Sequence, residues 1–319
     1  SYDPIFACGT IAAAGLFGLL IRASALLIIF GILTEQSIGK LLMAGIGPGF
    51  LLTFIFSAGI IAFGIRFPTR APRSETVFSI TEKLKATLGV SGIVALVLGI
   101  IIGMYTGVFT PTEAGAAGAF GALILALAMR RLSRDRFISA LQEASQTTAL
   151  VFFILIGAMI FARFLVLTGL PGEFVDMVNR MDVPPMVIVI LFMIMYVFLG
   201  MFQDSISMMS ITLPIVHPII VGLGIDPIYF AMLVIMAIEI GLITPPLGLN
   251  VYTVRSVAVQ MPEGRDITLE SIFSGILPFF VLSVVALIIL LLVPSISTYI
   301  PSQMSVSYTH LTLPTILLV

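Results

Sequence analysis

Tryptophan is absent from the 319 residues, cysteine occurs once and histidine twice. The lone Cys8 excludes an internal disulfide and any metal centre built from several thiolates. Without Trp the usual indole belt at a bilayer surface is missing, so Tyr and Phe must take that place. Charge is the largest deficit. Asp, Glu, Lys and Arg make up 10% of the chain, against roughly 25% in an ordinary soluble domain. Apolar residues fill the gap: 59% of the chain is hydrophobic, and the mean hydropathy is +1.20. No water-soluble fold can hide that much apolar surface, so the composition describes an all-α polytopic membrane protein. The net charge of −1 says nothing about partners, because here only the placement of charge is informative. No HExxH, GxSxG or paired intramembrane aspartates occur, which leaves an intramembrane protease or hydrolase without its chemistry.

Both ends are unusual. The opening SYDPIFACGTIAAAG has neither an initiator Met nor a basic region leading to a cleavage site, as expected of a piece that begins mid-protein. Near the other end, VSYTHLTLPT (306–315) reads like a translated sequencing adapter. Residues 306–319 are therefore expected to be a non-native tail.

A bilayer core of roughly 30 Å takes about 20 apolar residues as helix. Runs of that kind cover Pro4 to Leu33 (interrupted), Leu41 to Ile65, Leu88 to Phe109, Pro111 to Met129 and Thr147 to Leu167. Further runs cover Pro184 to Phe202, Ser205 to Leu223, Pro227 to Val254 (interrupted) and Ile272 to Val293. Basic residues gather between Arg66 and Lys85 and again between Arg130 and Arg136, which assigns both segments to the cytoplasm. Counting outward, the acidic loop with Glu173, Asp176 and Asp182 falls outside, as does Asp226, and Arg255 and Arg265 fall inside. Residues 74–88 alternate charge with apolar residues at helical spacing, as a helix lying along the cytoplasmic interface would.

Two stretches match without gaps: YDPIFACGTIAAAGLFGLLIRASALLI from Tyr2, and IDPIYFAMLVIMAIEIGLITPPLGLNV from Ile225. Asp3-Pro4 aligns with Asp226-Pro227 and Gly18 with Gly241 at one constant offset. AGIGPGFLL from Ala44 then echoes SGILPFFVL from Ser274, with a slightly longer loop in the second copy. The first copy starts inside and the second outside, which describes an inverted-topology repeat of the kind found in secondary transporters.

The second copy contains GLITPPLGLN, Gly241 to Asn250, in the middle of its apolar run. Pro245 and Pro246 should stop the helix near Ile243, since each proline in a helix interior removes a hydrogen bond and costs about 3 kcal/mol. Backbone freed in this way survives in a membrane only against protein or a watery cavity. Gly241 and Gly248 permit close approach, Thr244 and Asn250 add side-chain oxygens, and the restarted helix turns a positive end towards an anion. Such a set suits Na⁺; a plain proline kink satisfied by a neighbouring helix is the other reading. In FQDSISMMSITLPIVHPI a carboxylate, Asp204, stands deep in apolar sequence at a cost of roughly 2.5–3.5 kcal/mol. A hairpin tip facing water at mid-membrane would relieve that cost and bring Asp204, Ser205 and Ser207 beside Thr244. An ordinary turn with Asp204 as helix N-cap is the alternative, and the two roles are compatible.

Other features read as structural. GVFTPTEAGAAGAFGA is a helix start, with Thr110 as N-cap, Pro111 first and Glu113 completing a capping box. Gly115, Gly118, Gly121 and Ala122 then offer a face for close packing. Arg163 and Glu239 are charges inside spans, Glu239 being either a proton or cation ligand or simply paired. His217, between Pro214 and Pro218, reads as a packing residue rather than a proton relay.

Four ordered motifs, LTEQSIGKLLMAGIGPG, GVFTPTEAGAAGAF, FQDSISMMSITLPIVHPI and GLITPPLGLNVYTV, resemble the large membrane subunit of tripartite ATP-independent periplasmic (TRAP) transporters. The resemblance runs from Tyr2 to about Tyr299. It implies an elevator-type ion transporter fold with inverted repeats, re-entrant hairpins and broken helices, present here only in part because the first hairpin would precede Ser1. It also implies Na⁺ as coupling ion, no other cofactor, a small membrane subunit, and a periplasmic binding protein that delivers a carboxylate-bearing solute. By position, Asp204, Ser205 and Ser207 form the second hairpin tip; Gly241, Thr244, Pro245, Pro246 and Asn250 form the second broken helix. One departure stands out: where the first broken helix should carry a Pro-Pro pair, this chain has Arg22 and Ala23. Arg22 is either a countercharge for an anionic substrate or the mark of a sequence error or decayed gene, and the cost of an unpaired midplane Arg favours the latter.

The expected organisation is a first broken helix over 1–40, mainly scaffold helices over 41–182, a second hairpin and broken helix over 183–257, and a scaffold helix over 258–305. The expected function is cation-coupled uptake of a small organic anion across a bacterial or archaeal cell membrane, without enzymatic activity. Candidate Na⁺ ligands are Asp204, Ser205, Ser207, Gly241, Thr244, Asn250 and Gly18; candidate substrate contacts are Ser24, Thr244, Pro245, Pro246, Asn250 and Arg22. A non-transporting membrane scaffold is the rival.

Overall fold

A computed structural model describes residues 3–16, 25–69, 71, 79–130, 132–180, 183–261 and 267–304. Among the described residues there are fourteen helices and no strand. Five stretches are long and apolar enough to cross a membrane: Ile38–Arg66, Pro111–Ala128, Arg134–Thr168, Ser205–Gly222 and Leu269–Leu292. The composition thus folds as expected of an all-α polytopic membrane protein. The chain divides into two compact units, one of residues Ser1–Phe78 and Ser133–Pro301, the other of Ser79–Leu132 and Ser302–Val319.

The larger unit opens with α1 (Pro4–Ala14), α2 (Ala25–Thr34), α3 (Ile38–Ala44) and α4 (Ile46–Arg66). The run expected as one span from Leu41 is two helices that meet at Gly45, whose φ of −67° and ψ of −20° keep the turn nearly helical. In the smaller unit α5 (Ile80–Tyr105) pairs with α6 (Pro111–Ala128). α5 differs from expectation. It starts at a capping box between Ser79 and Glu82 and runs through Leu88 unbroken to Tyr105, so residues 80–88 and the apolar run after them share one helix. Nothing at Leu88 terminates a helix, because the alternating segment contains good helix formers and no breaker. Residues 74–78 of that segment, with Arg70, Arg73, Arg131, Asp182, Arg265 and the tail 306–319, lie outside the described residues.

The Thr110 motif folds as read. Thr110 Oγ1 accepts from the Glu113 N–H at 3.3 Å, and Glu113 Oε2 accepts from the Thr110 N–H at 2.8 Å. Of the small-residue face, Gly118 and Gly121 lie against Ile100 and Leu96 of α5, while nothing lies within 4 Å of the β-carbon direction at Gly115.

The larger unit continues with α7 (Arg134–Thr168), α8 (Leu170–Arg180), α9 (Pro185–Gly200), α10 (Ser205–Gly222), α11 (Pro227–Leu242), α12 (Leu249–Ala258), α13 (Leu269–Leu292) and α14 (Ser295–Ser302). α7 has 35 residues, longer than the expected Thr147 to Leu167, and ends at Gly169 with φ +73°. α11 is the centre of the unit. Every residue from Tyr229 to Leu242 is buried, and α2, α3, α9, α10 and α13 pack around it. A helix apolar all round has no face for solvent, and wrapping it in other helices resolves that. α13 runs antiparallel to it, with the Tyr229 hydroxyl donating to the Leu291 carbonyl at 2.8 Å.

Candidate functional site

The interruption expected at Pro245-Pro246 is present. α11 ends at Leu242, α12 begins at Leu249, and the residues between them are not helical. The last turn of α11 is tied off locally. The Thr244 N–H donates to the Gly241 carbonyl at 3.0 Å, and Thr244 Oγ1 donates to the Ile240 carbonyl at 2.5 Å. Thr244 is buried and its hydroxyl proton is committed, so the oxygen keeps its lone pairs for another partner. Pro245, Pro246 and Leu247 are exposed. Gly248 then takes φ +52°, a conformation that only glycine adopts without strain, and starts α12 with no side-chain cap. The first N–H groups of α12 are thus left without a capping side chain, at the positive end of the helix.

α9 and α10 form a hairpin around residues 201–204. Its arms are pinned by a hydrogen bond between the Tyr196 hydroxyl and Thr212 Oγ1 at 2.8 Å. Asp204 is exposed at the tip and caps α10, its carboxylate accepting from the Ser207 N–H at 3.0 Å. The capping alternative is therefore real, and it leaves the other carboxylate oxygen available. Ser205 and Ser207 are half-buried in the first turn of α10. Pro214 and Pro218 lie inside α10 without breaking it, and Nε2 of His217 between them is buried with no hydrogen-bond partner among the described residues.

Two contacts that sequence reading missed bring these parts together. α9 and α11 run parallel, with Phe192 meeting Phe230 near one end and Gly200 meeting Gly241 at the other. A β-carbon on Gly241 would lie 2.7 Å from the Gly200 Cα and from the Val197 carbonyl oxygen. Backbones can approach so closely only where both partners lack side chains. The crossing puts the hairpin tip at the level of the helix break. The second contact joins the two copies of the repeat. A β-carbon on Gly15, which caps the end of α1, would lie 3.3 Å from Nδ2 of Asn250 in α12. The faint signal for both was a glycine next to a break in each copy.

The repeat itself reappears as paired helix starts. Asp3 caps α1 through the Ile5 N–H at 2.9 Å, and Asp226 caps α11 through the N–H groups of Ile228 and Tyr229 at 2.7 and 3.0 Å. Gly18, Arg22, Ala23 and Ser24 lie outside the described residues. Of the expected site, the structure thus describes Asp204, Ser205, Ser207, Gly241, Thr244, Pro245, Pro246 and Asn250, and the tip and the break are joined through Gly200 and Gly241. Two intramembrane charges fare differently. Arg163 is exposed near the end of α7, while Glu239 is 1% exposed and its two carboxyl oxygens are buried. Among the described residues Glu239 has no hydrogen-bond partner.

An all-α membrane protein whose most buried helix stops short at a hairpin tip belongs to the class of membrane permeases built on interrupted helices. The model of the family described as "Tripartite ATP-independent periplasmic transporter, DctM component" matches residues 1–296, and the chain belongs to that family. It is similar to the C4-dicarboxylate TRAP transporter large permease protein of Pseudomonas aeruginosa, at 32% identity over 96% of this chain and 70% of the relative. The sialic acid TRAP transporter large permease protein of Vibrio cholerae is 30% identical over 94% of this chain and 68% of its own length. The 2,3-diketo-L-gulonate TRAP transporter large permease protein of Escherichia coli is 32% identical over 93% and 68%. The chain is thus part of a multi-pass inner-membrane transporter permease, not an enzyme. Membership implies a small membrane subunit and a periplasmic binding protein as partners.

Proposed function

We propose that this chain is the part of a TRAP large subunit that carries a small carboxylate-bearing anion inward, driven by Na⁺. The observation that supports this best is the meeting of the α9–α10 tip with the α11 break at Gly200 and Gly241. The break interrupts a run long enough to span a bilayer, so a tip at its level turns back near mid-membrane rather than crossing. Asp204, the Thr244 oxygen and the bare peptide carbonyls of the break are hard oxygen donors of the sort a dehydrated alkali cation needs. The uncapped start of α12 offers N–H groups and positive potential to the carboxylate. Ser205, Ser207, Gly241 and Asn250 complete the described half of this site, with Pro245 and Pro246 against the solute. Gly18, Ser24 and Arg22 are proposed for the other half. The relatives are named for C4-dicarboxylate, sialic acid and diketogulonate, all of which bear a carboxylate.

In this reading the two broken helices and the hairpin (1–40 and 183–257) move as a transport core against a scaffold of residues 41–182 and 258–305. The test uses the whole large subunit with its small subunit and binding protein in vesicles. Uptake of a radiolabelled C4-dicarboxylate under an inward Na⁺ gradient is expected, with loss of uptake in Asp204→Ala at unchanged expression. Equal uptake with choline in place of Na⁺ would remove the coupling claim, and full activity of the Asp204 variant would clear that residue. No uptake under any gradient would favour the scaffold reading.

A further inference from the structure

α9 and α13 both pack on α11, and a groove of about 590 Å³ separates them on its flank. Every side chain along the groove is Ile, Leu, Val, Met or Phe. One wall runs from Ile190 on α9 to Met201 just past its end, the other from Phe280 to Leu291 on α13. Ile240 of α11 lines the groove between them. At the helical rise each wall is about 16 Å long. The level of the groove follows from α13, which has 24 residues and is long and apolar enough to cross a bilayer. The groove accompanies its second half, which the charge count along the chain places in the outer leaflet. Val281 and Val285 beside it are exposed as well, so the apolar surface continues from the groove on to the outside of the helix.

Water, a helix and a hydrocarbon tail are the candidates to fill it. Water finds no partner there, since a cavity lined only by apolar side chains stays dry. A helix is too wide. The volume spread over that length leaves a mean cross-section of roughly 35 Å², against roughly 80 Å² for a helix about 10 Å across. A single hydrocarbon chain fits, and its length agrees: half of a hydrocarbon core of roughly 30 Å is roughly 15 Å. We propose that the groove is a binding site for one acyl chain of an outer-leaflet phospholipid. Its carbonyl end lies near Ile190 and Leu291, and its methyl end near Met201, Ile240 and Phe280. Transfer from bulk lipid brings no hydrophobic gain, because the tails around it are as apolar as Leu; close packing along the two walls holds the chain. Val197, whose carbonyl oxygen faces Gly241, also lines the groove. The tail therefore packs against the hairpin arm where its backbone crosses α11 with no side chains between them. The proposal stands apart from the uptake reading, and its test requires no transport.

Photolabelling of the whole large subunit with its small subunit tests it, in phosphatidylethanolamine vesicles. A trace of the same lipid carries a diazirine either at the methyl end of one acyl chain or next to its carbonyl. Mass spectrometry of the peptides is expected to place the methyl-end label around Met201 and Phe280, and the carbonyl-end label around Ile190 and Leu291. Val284→Trp fills the groove from the α13 wall and should lose both labels, while labelling at Phe153, exposed on α7, stays. Ile194→Trp, from the opposite wall, is the second such variant and should do the same. Equal labelling by the two probes along the whole groove, at the intensity seen at Phe153, would mean passing boundary lipid and overturn the site; this outcome is read on the wild type alone. Labels that persist in both tryptophan variants overturn it too. So does a groove without lipid label in which Ile194→Cys cross-links to the small subunit, since a protein segment then fills it.

Discussion

Asp204 carries two roles on one carboxylate, and substitution can separate them. Its bond to the Ser207 N–H caps α10, and loss of such a cap costs about 1 kcal/mol. Asn caps as well as Asp but carries no charge. Asp204→Asn is therefore expected to keep the thermal stability of the protein in detergent while losing Na⁺-driven uptake. Asp204→Ala is expected to lose both, and equal uptake by Asn and Asp would assign the residue to capping alone. Gly241 makes a purely steric demand. A methyl group there meets backbone atoms 2.7 Å away, which must shift. Gly241→Ala should cost about 1–3 kcal/mol, read as a lowered unfolding temperature, whereas Gly115→Ala, with open space around it, should cost nothing measurable. The cap at Thr110 and Glu113 was legible from sequence because residues three apart decide it. The full burial of Glu239 was not, because it depends on five helices distant in sequence.

Among the helices, proline alone proved a poor signal. Pro214 and Pro218 sit inside α10 and Pro278 inside α13 without interrupting either, while Pro245 and Pro246 end α11. The difference is local. Two adjacent prolines remove successive donors and push the preceding residue out of helical geometry, and Gly248 with φ +52° then leads into α12. Replacing Pro245, Pro246 and Gly248 together by alanine should allow α11 to run on into α12. Amide hydrogen exchange across 243–249 is expected to slow, and uptake to fall to background. Exchange as fast as in the wild type would mean that tertiary packing, not these three residues, holds the break open. The boundary expected near Leu88 failed for the opposite reason: a change in charge pattern does not stop a helix that lacks a breaker.

At the scale of the whole molecule, what matters is that the two copies of the repeat meet. Asn250 of the second copy lies against Gly15 of the first, so their helix ends face one place. A Gly15→Cys, Asn250→Cys pair on a Cys8→Ala background is expected to cross-link under an added oxidant, since the Asn250 side chain reaches to Gly15. Mobility on a denaturing gel reports the bond, and uptake should stop on oxidation and recover on reduction. Failure to cross-link in the membrane would separate the two halves of the proposed site.

Composition alone determined that the chain enters a membrane as helices, because so few charges cannot keep this much apolar surface in water. Local covalent geometry then determined where one of those helices must stop, since the Pro245-Pro246 pair lacks the donors a helix needs. Neither could say that the α9–α10 tip meets the break after α11, which glycines permit close crossings, or which helices wrap Glu239. Those answers came from the tertiary structure, because they depend on which backbones come within van der Waals contact. Such contact is a property of packed helices, and the periodicity of any one helix does not contain it.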